Sequence, residues 1–362
     1  PLTSSDNLRD ETKTNTEYLA RVQSIMASES PSPPTYTLES LLTKASEFVE
    51  QCHYEIGAKF YLRALEMSPK DTTIMDALAD AYLQLDQVDQ ATLLLEKSIT
   101  LAPHSGAAKW LSLAQLKRGE DAAACYDRGI ALLSSPTAQP SQPVPLASAH
   151  CGVIELYMTD LCDMENAEQL CEDHLTHALQ LHPDGFEPNT MAASLRLVQQ
   201  RQEEAVVHVD KVIASITAVD SATTLATENV EEFSLPLRFS AGKSMIEVGR
   251  YEAAAGVLEG VLYGDDGNPE VWCVLGVCYQ SLKEYELSKQ YLEKCVSMLH
   301  GSGSGTGGGG SSSSSSSSSN GVMDAQIQHV NGILEEVVKS LAEVKSNGGG
   351  SMEVEEEEDD DL

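Results

Sequence analysis

Apolar and small residues recur through residues 38–300 at spacings of three and four, in runs long enough for helices of three to four turns. The runs come in pairs, and the pairs repeat. Ala45, Phe48, Gly57, Tyr61, Ala64 and Pro69 each stand 34 residues before Ala79, Tyr82, Ala91, Leu95, Ser98 and Pro103. Farther on, Gly242, Met245, Ala254, Leu258 and Val261 stand 34 before Gly276, Tyr279, Ser288, Leu292 and Cys295. A period of that length is the mark of a repeat array, in which one supersecondary unit is stacked on the next.

The last period carries Trp272, Leu275, Gly276 and Tyr279 in the spacing W-x-x-L-G-x-x-Y, and the pattern resembles the tetratricopeptide repeat. Small residues at the eighth and twentieth positions let the two helices of a repeat approach closely. Larger residues beside them fill the contact, and a proline ends the second helix because it cannot continue one. Seven repeats are read: 38–71, 72–105, a third from Ala107 with a shortened turn, a fourth over 147–184, then 186–218, 235–268 and 269–300. In the fourth, Tyr157 and Ala167 are assigned to helices A and B, with helix B lengthened by four before Ala178 and Pro183. The predicted fold is all-α, a right-handed superhelical solenoid of about seven tetratricopeptide repeats with a C-terminal capping helix.

The cap is assigned to residues 322–346, where Ile327, Val330, Leu334, Val337, Val338, Leu341 and Val344 form one apolar stripe. A terminal repeat needs its open face covered, which favours a cap over a detachable partner-binding helix. The remaining segments are an N-terminal extension (1–37) with a weak helical pattern over 8–26, a Gly/Ser linker (301–321) and an acidic tail (347–362). SSPTAQPSQPVP after the third repeat is read as a Pro-rich linker, and 219–234 as a polar excursion.

Charge narrows the function. The 362 residues hold 56 acids and 23 bases, a formal net charge of −33. Nucleic acid is a poor partner for such a chain, since affinity for phosphate comes from Lys and Arg that neutralise it. An anionic membrane surface is disfavoured for the same reason, and no run of 18 apolar residues is present. The first residues, PLTSSDNLRDETK, lack the apolar core of a signal peptide, so a cytoplasmic and nuclear protein with free thiols is expected.

No motif of a P-loop, nucleophile elbow, dinucleotide fold or zincin occurs, and no enzyme activity or cofactor is expected. Cys171, His174 and His177 share one helix face and could suggest zinc. Zinc needs a fourth ligand, however, and Cys171 stands at a core position that suits a small thiol. Cys295 likewise reads as core, and Cys125 has only Arg128 nearby to activate it. No metal site is assigned.

The surface is more informative. Groove positions of the A helices read Glu39, Glu50, Asp76, Asp80, Glu155, Glu187, Glu247 and Glu270, with Lys243 and Arg118 as basic exceptions. Between them fall Leu42, Val49, Leu83, Leu111, Met158, Leu197, Phe239, Ile246 and Val277. Carboxylates at intervals with apolar places between them suit an extended basic peptide, whose capture is salt-sensitive. Solvation alone is the simpler account of any single glutamate; the set favours a ligand. Co-chaperones that clamp a C-terminal carboxylate place Lys and Asn where this chain has Glu39, Leu42, Ser46, Thr73, Asp76 and Asp80, so that function is rejected.

Three stretches, KWLSLAQLKRGEDAAACYDRGIALL (109–133), DLCDMENAEQLCEDHLTHAL (160–179) and ASLRLVQQRQEEAV (193–206), followed by an acidic tail, resemble the fungal dedicated assembly chaperones of large-subunit ribosomal protein L-four. The resemblance covers residues 38–300. It implies a non-enzymatic holding chaperone that takes the long basic internal loop of newly made L-four and escorts it to nuclear pre-60S assembly; a monomer is expected. An import receptor would be engaged only through the client, which fits the missing basic address in this chain. A tetratricopeptide-type histone chaperone and a structural scaffold subunit are the alternatives. The first usually interrupts a repeat with its acidic block, whereas here the block is terminal.

Overall fold

The computed structural model describes residues 36–135, 143–222, 234–302 and 316–347. The N-terminal extension to residue 35, residues 136–142 of the Pro-rich stretch, 223–233 of the polar excursion, 303–315 of the Gly/Ser tract and the tail from residue 348 lie outside the described residues. Among the described residues all regular structure is α-helical, and no helix is long and apolar enough to cross a membrane.

The chain divides into two compact units, with the boundary after Lys117. The first holds α1 (Leu38–Glu50), α2 (Tyr54–Met67), α3 (Thr72–Gln84), α4 (Val88–Leu101) and α5 (Ala107–Leu116). Each packs on the next. The second begins with α6 (Gly119–Leu133), α7 (Pro143–Met158), α8 (Ala167–Leu181), α9 (Phe186–Val198) and α10 (Gln202–Ala222). It continues with α11 (Leu235–Glu247), α12 (Tyr251–Gly264), α13 (Pro269–Ser281), α14 (Tyr285–Ser302) and α15 (Ser316–Asn347). Here α7–α8, α9–α10, α11–α12 and α13–α14 are antiparallel hairpins, and α9 also lies against α7 and α11.

Local signals set the helix ends. Thr37 caps α1 by accepting from the Ser40 amide at 3.2 Å, and Asp71 caps α3 by accepting from the amides of Thr73 and Ile74. Asn268 caps α13 with Pro269 as its first residue, where the missing N–H costs nothing. The turn from helix A to helix B recurs as a left-handed residue: Cys52 (φ 60°), Asp86 (56°), Gln200 (60°), Gly249 (78°) and Lys283 (64°). The next amide in each reaches back to the A helix, as in His53 to Phe48 O and Gln87 to Tyr82 O, and satisfies a terminal carbonyl. In the third repeat α5 is only ten residues long, and its two-residue connection, Lys117–Arg118, is extended instead.

Packing follows the small-residue positions. A Cβ added to Gly242 or Gly276 would stand 2.6 Å from Cδ2 of Leu258 or Leu292, both fully buried, so those hairpins close on a bare backbone. Ala45, Ala79 and Ala193 are likewise wholly buried. At the α8–α9–α10 junction, Arg196 is almost buried and forks onto Glu172 at 2.5 and 3.0 Å. Burial works to raise the Glu172 carboxyl, but the bonds from Arg196 and Gln199 outweigh it and hold the group below its ordinary value.

The fourth repeat departs from the sequence reading. Its helix A begins at Pro143, inside the Pro-rich stretch, because proline is tolerated in a first helical turn. Helix B is not lengthened: α8 has 15 residues against 14 in α4, and the extra length lies in the connection 159–166. Cys171, not Ala167, takes the helix B position equivalent to Ala91, with Ala178 and Pro183 following at the same spacings as Ser98 and Pro103.

Beyond the hairpins, α15 lays Val330 and Val337, both buried, against Leu292, Cys295 and Leu299 of α14. Lys345 pairs with Glu286 at 2.8 Å. The helix starts at Ser316, six residues before the segment assigned to it from sequence, since extending an established helix costs far less than nucleating one.

Candidate partner-binding face

All eight carboxylates picked out by repeat position fall on helix A of their repeats: α1, α3, α7, α9, α11 and α13. In the first unit, Glu39 is exposed in the first turn of α1, and Glu50 ends that helix, accepting from the Ser46 hydroxyl at 3.0 Å. Asp76 and Asp80 lie one turn apart on α3. Burial, then the charge of Asp76, raises the Asp80 carboxyl above its usual range, although Asp80 is still open to solvent on one side. Oδ1 of Asp76 is buried with no hydrogen-bond partner among the described residues. Tyr61 of α2 faces the same charges: burial, then Asp80 and Glu50, pushes its phenol up. Three of the four acids thus bear on one place.

The second unit has its own cluster. Tyr126 of α6 is buried, and its hydroxyl comes so near Gly152 of α7 that a Cβ there would lie 2.5 Å away. Burial, then Glu155 and Glu187, pushes that phenol up to about 12. Burial and the same two acids raise the Cys151 thiol well above its ordinary value. Ser148 donates to Oε1 of Glu187 at 3.1 Å. Glu270 differs from the rest: Lys243 reaches it at 3.4 Å while lying 4.6 Å over the Phe239 ring. Lys243 therefore pairs with Glu270 at the exposed surface. Glu247 ends α11 and offers its main-chain carbonyl to Gln202 Nε2 at 3.1 Å.

Tyr61 and Tyr126 were not read from sequence as neighbours of the acids, because they reach them from B helices, and Ser148 on α7 itself was not singled out. Cys171 is buried, and its thiol is directed to the Ile154 carbonyl at 3.8 Å. His174 turns instead to His150 of α7. Among the described residues no group of three or more His, Cys, Asp or Glu is arranged to hold a metal ion.

The tetratricopeptide-repeat family profile matches residues 73–105 and 269–298. The probable assembly chaperone of rpl4 from Schizosaccharomyces pombe is 31% identical over 237 residues, 61% of this chain and 69% of that protein. The chain belongs to the rpl4 assembly-chaperone family. Another member of that family, from Emericella nidulans, is 26% identical over 67% of this chain, but the match spans only 65% of that protein's length. Among solved structures, an assembly chaperone of RpL4 (residues 1–338) superposes with a TM-score of 0.57 at 27% identity, over 69% of this chain and 98% of that one. The APC/C hetero-tetramer Cut9–Hcn1 reaches 0.51 at 13% identity over 84% of this chain and 50% of that one, a likeness of fold alone.

Proposed function

We propose that this chain is a dedicated, non-enzymatic chaperone of ribosomal protein L-four. Its acidic helix A faces take the basic internal loop of the newly made client, keep it from aggregating and escort it to nuclear pre-60S assembly. Membership of the rpl4 assembly-chaperone family supports the choice of client. The observation that carries the binding mode is the Asp76–Asp80 pair, two acids one turn apart that form no ion pair among the described residues, with the Asp80 carboxyl raised by burial and by the charge of Asp76. A lysine or arginine of the client supplies the opposing charge.

The chaperone acts as a monomer in cytoplasm and nucleus, and reaches an import receptor through the client's own basic address. Release follows because rRNA phosphates compete for the same lysines and arginines. The test is calorimetric titration of the full chain with the L-four loop at low and moderate salt, with histone tails as a rival titrant. Tight binding that salt weakens, and that Asp76→Lys with Asp80→Lys weakens by about a hundredfold, is expected for two reversed charges at the contact. Equal binding of histone tails favours a histone chaperone, and binding indifferent to salt and charge reversal favours a scaffold.

A further inference from the structure

Where α9, α10 and α11 meet, a recess of about 390 Å³ is lined by Leu197, Val198, Gln200, Gln202 and Glu247. We infer that it receives the side chain of one lysine or arginine from the bound segment, with the aliphatic stem on Leu197 and Val198 and the cationic head at Glu247. The inference rests on the basic-client reading above and names a subsite within it.

Four features lead there. Val198 is 70% exposed, an apolar wall left bare at the end of a helix. Helices α9 and α11 end at Val198 and Glu247, so the negative ends of two helix dipoles face the recess against the positive start of one, α10 at Gln202, and the balance favours a cation. The Glu247 carboxylate has no partner among the described residues, and the bases around it are engaged elsewhere: Lys243, one turn before it on α11, with Glu270 at 3.4 Å, Arg250 with Asp210 at 2.9 Å, and Arg201, beside the recess, with Glu204 at 2.6 Å. Finally, the bond from Gln202 Nε2 to the Glu247 carbonyl ties the start of α10 to the end of α11, which fixes the walls before any ligand arrives.

The chain contains its own filled counterpart. Lys243 lies between the Phe239 ring and the Glu270 carboxylate, an apolar surface and an acid sharing one long cationic side chain. The recess presents the same combination with the cation absent. Long basic side chains bury their stems along apolar surface and keep the charged head at a polar rim, which is the division of labour offered here.

The test uses the full chain with isotope-labelled methyl groups, titrated with N-acetyl-arginine amide, N-acetyl-lysine amide and the uncharged N-acetyl-norleucine amide. The Leu197 and Val198 methyl signals should shift with the two cations, not with norleucine, and should stay fixed in Glu247→Gln. Silence with the cations, or equal shifts with norleucine, overturns the subsite whether or not the L-four loop binds. In the loop titration, Glu247→Lys should weaken affinity by about tenfold, the order expected for one reversed charge. An unchanged affinity with a loop that binds the wild-type chain removes the subsite and leaves the wider reading intact. Failure of the loop to bind at all removes the wider reading, and the small-molecule titration still decides the recess.

Discussion

The Nδ1 atoms of His150 on α7 and His174 on α8 lie 2.8 Å apart, so one imidazole must donate the proton that the other accepts. His177 stacks on His150 with ring centroids 5.1 Å apart. Three rings that pack this way cannot all be cations. Burial first, then the neighbouring imidazoles, lowers His150 to about 4. Burial also lowers His174, against the opposing pull of Asp127 and Asp173, with His177 adding to the lowering.

The stability of the chain should therefore fall in mild acid. In the unfolded chain these histidines titrate near their ordinary value of about 6.5, so between there and about 4 the unfolded state binds more protons. Stability is full above that window and is lost as pH drops through it. Melting temperatures across pH 7.5 to pH 4 should decline, and His150→Asn, whose amide can still bond His174, should flatten the decline. An identical slope in the variant would discount the cluster as its source.

Asp80→Asn should stabilise the free chain and weaken its hold on a basic partner. Like charges at i and i+4 on a helix cost about 0.2–0.5 kcal/mol, and removing one of the Asp76–Asp80 pair returns that amount. Urea denaturation read beside a binding titration distinguishes this trade from simple loss of fold, which would move both quantities downward.

Lys283 occupies the left-handed turn position that Gly249 fills in the preceding repeat. Relief of the Cβ clash contributes about 1 kcal/mol, and the extra freedom of glycine in the unfolded chain offsets several tenths of it. Lys283→Gly should raise unfolding free energy by about 0.5 kcal/mol. A fall in the denaturation midpoint would show that the turn is not strained.

Val337→Asp places a charge where a side chain is wholly buried against α14. An unpaired buried carboxylate costs several kcal/mol, more than a terminal helix can sustain, so α15 should undock while the hairpins remain folded. Limited proteolysis would then remove α15 and leave a resistant core. By contrast, Lys345→Ala breaks only the exposed pair with Glu286 and should cost about 0.5 kcal/mol.

The helical pairs were legible because each repeat needs a small residue where its helices cross, and Gly242, Gly276, Ala45 and Ala79 stand there in the sequence. The fourth repeat was misplaced for a physical reason: Ala167 and Cys171 are both small and one turn apart, so either satisfies the pattern. Only the distance to Ala178 and Pro183 distinguishes them. Proline at 143 and 145 reads as a linker until its place in a first turn is known. The acids of the A helices were found by position, but their partners were not. Tyr61, Tyr126 and Lys243 reach them across helices, a relation no local spacing encodes. His150 was missed as the neighbour of His174 for the same reason, since the single-helix stripe drew attention to Cys171 instead.

The principal contacts within each unit join helices that are adjacent or next but one along the chain. Such local topology folds fast and asks little of distant sequence. It also means that nothing in α1 and α2 waits for α15: the first hairpin can close while later ones are still emerging from the ribosome, and each new pair finds its template already standing. Among the described residues the last helix, α15, packs against the face of α14 formed by Leu292, Cys295 and Leu299. Translation can thus assemble this protein in the order in which it is read.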